Sequence, residues 1–225
     1  MNKDLQSVFL HEAIDIFLVA VLIIDLVQSA ALKLKSAVWL NAVQATLLGL
    51  MPLLLTQGEL EFHIVTMSLA ILVVRGVIIP KVLLWSVRLA PDANNVKSFI
   101  EPGMTLFISA ALICLSFAIG LNMPLPKSIP HFSDLLVPTA LATIILGLFM
   151  LIIRTQAPLQ VIGYLTIENG IYLFGLALIR ETPVIVEMGI LLDIFVGVFV
   201  MGIVLFHIGQ TFEHLDTSEL SQLRD

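Results

Sequence analysis

The sequence predicts an all-α fold: a polytopic integral membrane protein with seven transmembrane helices, its N-terminus outside and its C-terminus cytoplasmic. Three observations carry this expectation. Hydrophobic residues make up 59% of the chain and charged residues only 12%, with a mean hydropathy of +1.05. A soluble domain is typically about half apolar and about a quarter charged. The apolar runs approach the roughly 20 residues that a helix needs to cross a hydrocarbon core. These runs are continuous rather than alternating, which selects helices over a closed barrel.

The elements follow in order. The first span is expected from Phe9 to Ser29, and the second from Val38 to Leu55. The N-terminal stretch is read as a span and not as a signal peptide, because His11, Glu12 and Asp15 interrupt its apolar region and no small-residue cleavage site follows. The third span runs from Phe62 to Ile79. Pro80 is expected to kink or end it, with Lys81 to Leu89 as an interfacial extension. The fourth span covers Met104–Leu121, the fifth Leu135–Ile153, the sixth Leu159–Ile179 and the seventh Val184–Phe206. Two connections stand out: the polar, turn-rich Ala90–Gly103 and the proline-rich Asn122–Pro130, which should be stiff and extended. The polar tail is either solvated or a short helix capped by Asp216 with Glu219 three positions on.

Orientation follows from the loop cations. Lys33, Lys35, Lys81, Arg88, Lys97, Arg154 and Arg224 collect on one side, which is therefore cytoplasmic; Lys3, Lys127 and Arg180 collect on the other. Trp39 and Trp85 fit interfacial positions. The net charge of −6 argues against nucleic acid as a partner, which would require a basic patch. Cys114 is the single cysteine, so neither an intrachain disulfide nor a four-thiolate cluster can form; it is expected to be a small buried apolar residue.

The informative stretch is Gln160–His207, read as two apolar helices around the turn Arg180-Glu181-Thr182-Pro183. Each carries a carboxylate inside its apolar run, Glu168 in one and Asp193 in the other. An ionisable group at the centre of a spanning helix costs roughly 2.5–3.5 kcal/mol on insertion scales, so it faces protein or water and normally has a function. The two acids lie at similar separations from the turn, which puts them at one depth in an antiparallel hairpin. Tyr164 and Tyr172 lie one turn to either side of Glu168, Asn169 follows it, and Gly163, Gly170 and Gly175 permit close helix approach. Gly189 and Gly197 flank Asp193 at i−4 and i+4, opening that face to another helix or to water. The bland reading of both acids is a protonated group that only hydrogen-bonds a neighbour and serves assembly.

Other ionisable groups are secondary. Glu187 points about 120° away from Asp193 and is either a proton-admitting group or an interfacial acid. Asp25 and Arg75 are expected to form a structural ion pair between the first and third spans; Arg75 could instead snorkel to the interface or tune a relay. His11, Glu12 and Asp15, and His63 with Glu59 and Glu61, show no spacing of metal ligands. No phosphate loop, nucleophile elbow or haem-type histidine pair is visible, so no cofactor is expected on this chain.

At this hairpin a resemblance emerges. The last three spans resemble the small three-helix K subunit of respiratory complex I and the C subunit of multi-subunit cation/proton antiporters. Glu168 in IENGIYLFGLAL matches the family's glutamate in the second helix, and Asp193 in LLDIFVGV matches the position of the second acid, with Asp in place of Glu. The shorter side chain makes a bridging water necessary for contact with Glu168. Over its whole length the chain resembles the membrane component E of hydrogenase-4 and formate hydrogenlyase-type complexes.

The resemblance implies a division into a four-helix region (residues 1–132), a three-helix K-subunit-like region (133–209) and a cytoplasmic tail (210–225). It implies a multi-pass subunit of the bacterial or archaeal cytoplasmic (inner) membrane. Its partners would be large antiporter-like subunits and the membrane anchor of a hydrogenase-type redox arm, and it would relay protons or charge between them. Redox catalysis would reside in partner chains. Three rival expectations stand beside this one: a structural spacer of a membrane arm, a subunit of a cation/proton antiporter-type complex, and a stand-alone secondary transporter, against which the lack of an internal repeat argues.

Overall fold

The computed structural model describes residues 3–55, 68–69, 72–89, 99–123 and 133–178. All regular elements among these residues are helical: α1 (Lys3–Ser29), α2 (Leu34–Leu55), a π-helical turn (Val74–Ile78), α3 (Ile79–Leu89), α4 (Pro102–Gly120), α5 (Leu136–Ile153) and α6 (Ala157–Leu178). Of the described helices, α4 and α5 are long and apolar enough to cross a membrane. The expected seventh span, the loop residues 90–98 and 124–130, and the C-terminal tail lie outside the described residues.

Of the two outcomes expected at Pro80, a kink or an end, the helix does not end there. Chain winding widens just before it: the Ile79 amide donates to the Val74 carbonyl, a span of five residues. A proline ring clashes with the carbonyl one α-turn back and has no N–H to give. A π turn shifts the register by one residue and lets the helix pass through Pro80 to Leu89. Pro102 takes proline's ordinary place, in the first turn of α4 after the extended Glu101.

Helices α5 and α6 form the centre of the bundle, with α1 against α5, α2 against α6, α4 against α5 and α1, and the π turn against α2. Glycine lets the central pair approach closely. A Cβ built on Gly147 would lie 2.7 Å from the Ile167 amide nitrogen, and one on Gly170 2.7 Å from that of Ile144. Small residues that bring helix backbones together are the usual means of helix association where lipid removes the hydrophobic drive.

Packing of α4 is inverted relative to a soluble helix. Its buried residues are Thr105, Ser109, Ser116 and Gly120, one small polar stripe. Its outward residues include Met104, Phe107, Leu115 and Ile119. Cys114, expected to be buried, is on this outward side. A surface of this kind is unfavourable against water and matches an apolar surround or a partner protein. Trp39 and Trp85 are exposed.

Two apolar clusters form the core. One gathers Leu34, Val38, Leu83, Met150 and Ile162; the other gathers Leu18, Leu48, Met51, Leu136 and Leu173. Along α1, α2, α5 and α6, a set of buried polar residues falls between these two clusters: Asp25 and Gln28, Asn41 and Gln44, Thr143, and Thr166, Glu168 and Asn169.

Candidate functional site

Helical spacing assembles this belt. Asp25 and Gln28 are three apart on α1, as are Asn41 and Gln44 on α2, so each pair shares one face. Thr143 comes from α5, and Thr166, Glu168 and Asn169 come from α6. Arg75 enters from the π turn. Gly76 follows it and lies against α2, where a Cβ would come within 3.1 Å of Thr46 Oγ1. The close approach carries the Arg75 guanidinium to α6.

Arg75 and Glu168 form a buried salt bridge, Nη2 to Oε1, with side chains 6% and 2% exposed. Arg75 Nη1 also donates to Asn169 Oδ1 at 3.2 Å, and the guanidinium carbon lies 5.6 Å from the centre of the Tyr172 ring, in cation–π range. Asn169 Nδ2 donates to Gln44 Oε1 at 3.1 Å. Gln44 Nε2 donates to Asp25 Oδ1 at 2.8 Å, and Thr143 Oγ1 to Asp25 Oδ2 at 2.8 Å. Gln28 Nε2 donates to Thr166 Oγ1 at 2.8 Å in the same layer. One continuous hydrogen-bond chain thus runs from Glu168 through Arg75, Asn169 and Gln44 to Asp25.

The expected Asp25–Arg75 ion pair is not formed. Asp25 is bound by two neutral donors, and Arg75 turns instead to Glu168 and Asn169. Arg75 is buried at the level of Glu168, so snorkelling to an interface does not occur either. Of the remaining sequence candidates, Tyr172 is drawn into the site and Tyr164 is half-buried, packed against the first apolar cluster. Glu187 and Asp193 lie outside the described residues. His11 and Glu12 are exposed, while Asp15 accepts a hydrogen bond from Ser133 Oγ.

A small cavity touches the ion pair, lined by Asn41, Arg75, Glu168 and Asn169. Its room for water centres is about 10 Å³, close to the least that admits one water molecule. Asn41 Nδ2 is buried without a hydrogen-bond partner.

Among the described residues, one buried cation lies apart from the belt. Arg154, just past α5, donates through Nη2 to the carbonyls of Ser29 and Ala31, covering the C-terminal end of α1. Burial lowers its guanidinium from the ordinary value. Ser109 on α4 donates to Ser29 Oγ at 2.9 Å, tying the small polar stripe of that helix to the same corner.

The chain is 29% identical over 193 residues to the uncharacterized protein Rv0085 of Mycobacterium tuberculosis (strain ATCC 25618 / H37Rv), an alignment covering 85% of this chain and 87% of that protein. No family model matches the chain. No solved structure matches it significantly.

Proposed function

We propose that the chain is a membrane subunit of a hydrogenase-4 or complex I-like multi-subunit oxidoreductase, in which Glu168 relays protons or charge between a redox arm and antiporter-like subunits. The observation that carries this reading is the buried Arg75–Glu168 pair with its extension to Asn169, Gln44 and Asp25. Buried ion pairs are weak devices for stability, because desolvation offsets much of their attraction. A charged chain across four elements of an apolar bundle therefore favours a working role over a purely structural one.

In this reading Arg75 holds Glu168 ionised. Displacing the guanidinium, or delivering a proton to the carboxylate, switches the charge of the pair, and neighbouring subunits sense that switch. Asp193, on the expected seventh span, would be the next acceptor in the row. Seven spans, an outside N-terminus and a cytoplasmic C-terminus belong to the same proposal, supported by the loop cations and by the outward apolar face of α4.

The rival structural reading draws on the same pair, since an acid bonded to Arg75 could serve assembly alone. Glu168→Gln separates the two. The relay reading expects the complex to co-purify intact from mild detergent while proton uptake into inverted membrane vesicles is lost. Lost co-purification without a specific pumping defect favours the spacer, and full pumping in an intact complex sinks the relay.

A further inference from the structure

Asp25 is the far end of the chain that begins at Glu168. Its polarity is set by donor and acceptor chemistry. Arginine donates and never accepts, so Asn169 must present Oδ1 to Arg75 and is left with Nδ2 for Gln44. Gln44 must then accept at Oε1 and donate through Nε2, which obliges Asp25 Oδ1 to accept. A cation on the π turn thereby dictates the state of a carboxylate on α1 that it does not touch.

We infer that Gln44 and Asn169 transmit the protonation state of Asp25 to the Arg75–Glu168 pair, which makes Asp25 a second proton-binding group of the same site. A proton on Oδ1 turns Asp25 from acceptor to donor there. Gln44 then has to rotate its amide, bringing Oε1 to Asp25 and Nε2 to Asn169. Asn169 has to rotate in turn, and its Nδ2 meets Arg75 donor against donor. Arg75 loses its second acceptor and with it part of its hold beside Glu168. In the other direction, release of Arg75 frees the amides to reverse and Asp25 Oδ1 to take a proton. No bond other than O–H is made or broken.

The groups bonded to Asp25 are Gln44 from α2 and Thr143 from α5, both uncharged. Lys35 on α2 and Arg154 past α5 lie more than about two turns along from those partners. Cys114 on α4 faces outward. Among the described residues, the amide chain is therefore the bonded route from Asp25 to a charge.

This inference deepens the relay reading and rests on it for its purpose, but its test does not involve pumping. The full chain is reconstituted in lipid nanodiscs, and the protonated-carboxyl infrared band that Asp25→Asn removes is followed against pH. Glu168→Gln is expected to move that band's midpoint by about one pH unit or more, the signature of coupled sites. In a Gln44→Met background, which breaks the chain at similar volume, the shift is expected to disappear. Equal shifts in both backgrounds would overturn the inference, as would the absence of any Asp25-dependent band over the pH range in which the protein stays folded. Should Gln44→Met not fold, Asn169→Leu cuts the chain one link on and is read the same way. A coupled Asp25 in a protein whose Glu168→Gln variant still pumps would sink the relay and leave this inference standing.

Discussion

Asn169 and Gln44 meet amide to amide, Nδ2 to Oε1 across 3.1 Å, where α6 packs against α2. Both amides are oriented from the ends of the chain, because one terminus is an obligate donor and the other a carboxylate. The contact joins an acid on α6 to an acid on α1 without bringing the two carboxylates together. It also ties four elements at one level between two apolar clusters, so the belt is both a link and a register mark for the bundle.

Arg75→Met is expected to destabilise the fold by about 3–5 kcal/mol, since it leaves the buried Glu168 charge without its cation. The double variant Arg75→Met/Glu168→Gln should recover most of that loss, because no uncompensated charge remains. Thermal unfolding of both variants and of Glu168→Gln in one detergent closes the double-mutant cycle. Additive losses, with no recovery in the double variant, would show that the pair is not energetically coupled.

How far this site was legible beforehand depends on the residue. Glu168 stands out in the sequence because a carboxylate inside an apolar run is costly anywhere but in a protein interior. Gly163 and Gly170 read correctly as close-approach positions. The partner of Arg75 was not legible. Its depth depends on the π turn before Pro80, and hydropathy alone cannot show a one-residue widening of a helix. Asp25 looked like the nearest opposite charge when it is in fact held by Gln44 and Thr143. Gln28, Asn41 and Gln44 carry a signal of their own: amides inside apolar runs, three residues from an acid in the case of Gln28 and from each other in the case of Asn41 and Gln44. Cys114 is exposed and not buried because the inward face of α4 is its polar stripe, the reverse of the soluble rule.

Gly147→Ala tests the central helix pair. The added methyl would sit 2.7 Å from the Ile167 nitrogen and 2.8 Å from the Gly163 carbonyl oxygen, both backbone atoms that cannot swing aside. The expected cost is about 1–3 kcal/mol, as for other overpacked sites, seen as a lowered unfolding temperature. Gly103→Ala is the matched control. Nothing lies within 4 Å of its Cβ position, in the first turn of α4, so it should be neutral or slightly stabilising. Equal effects of the two substitutions would mean that α5 and α6 are not in close contact at Gly147.

Arg154→Met is expected to loosen the junction of α1, α4 and α5. The Ser29 and Ala31 carbonyls lose a charged donor, and hydrogen bonds to charged groups contribute about 1.5–3 kcal/mol each. Hydrogen exchange should report the loss as faster exchange at the C-terminal end of α1, with the Asp25 level of the same helix little changed. Uniformly faster exchange along α1 would instead indicate global destabilisation and remove the capping role.

The outward face of α4 provides the most direct test of its surroundings. Cys114 is the single cysteine and is exposed beside Leu115 and Ile119, so a nitroxide attached there samples whatever covers this face without any further substitution. In lipid nanodiscs the label should collide more often with dissolved oxygen, which partitions into acyl chains, than with a water-soluble nickel chelate. Glu101, at the start of the same helix and exposed, supplies the contrast through Glu101→Cys in a Cys114→Ser background. Its label should favour the chelate, because the helix start lies where the chain turns polar. A Cys114 label that is equally or more accessible to the chelate would place α4 in water and would leave its polar inward stripe and apolar outward face without an explanation in the bilayer.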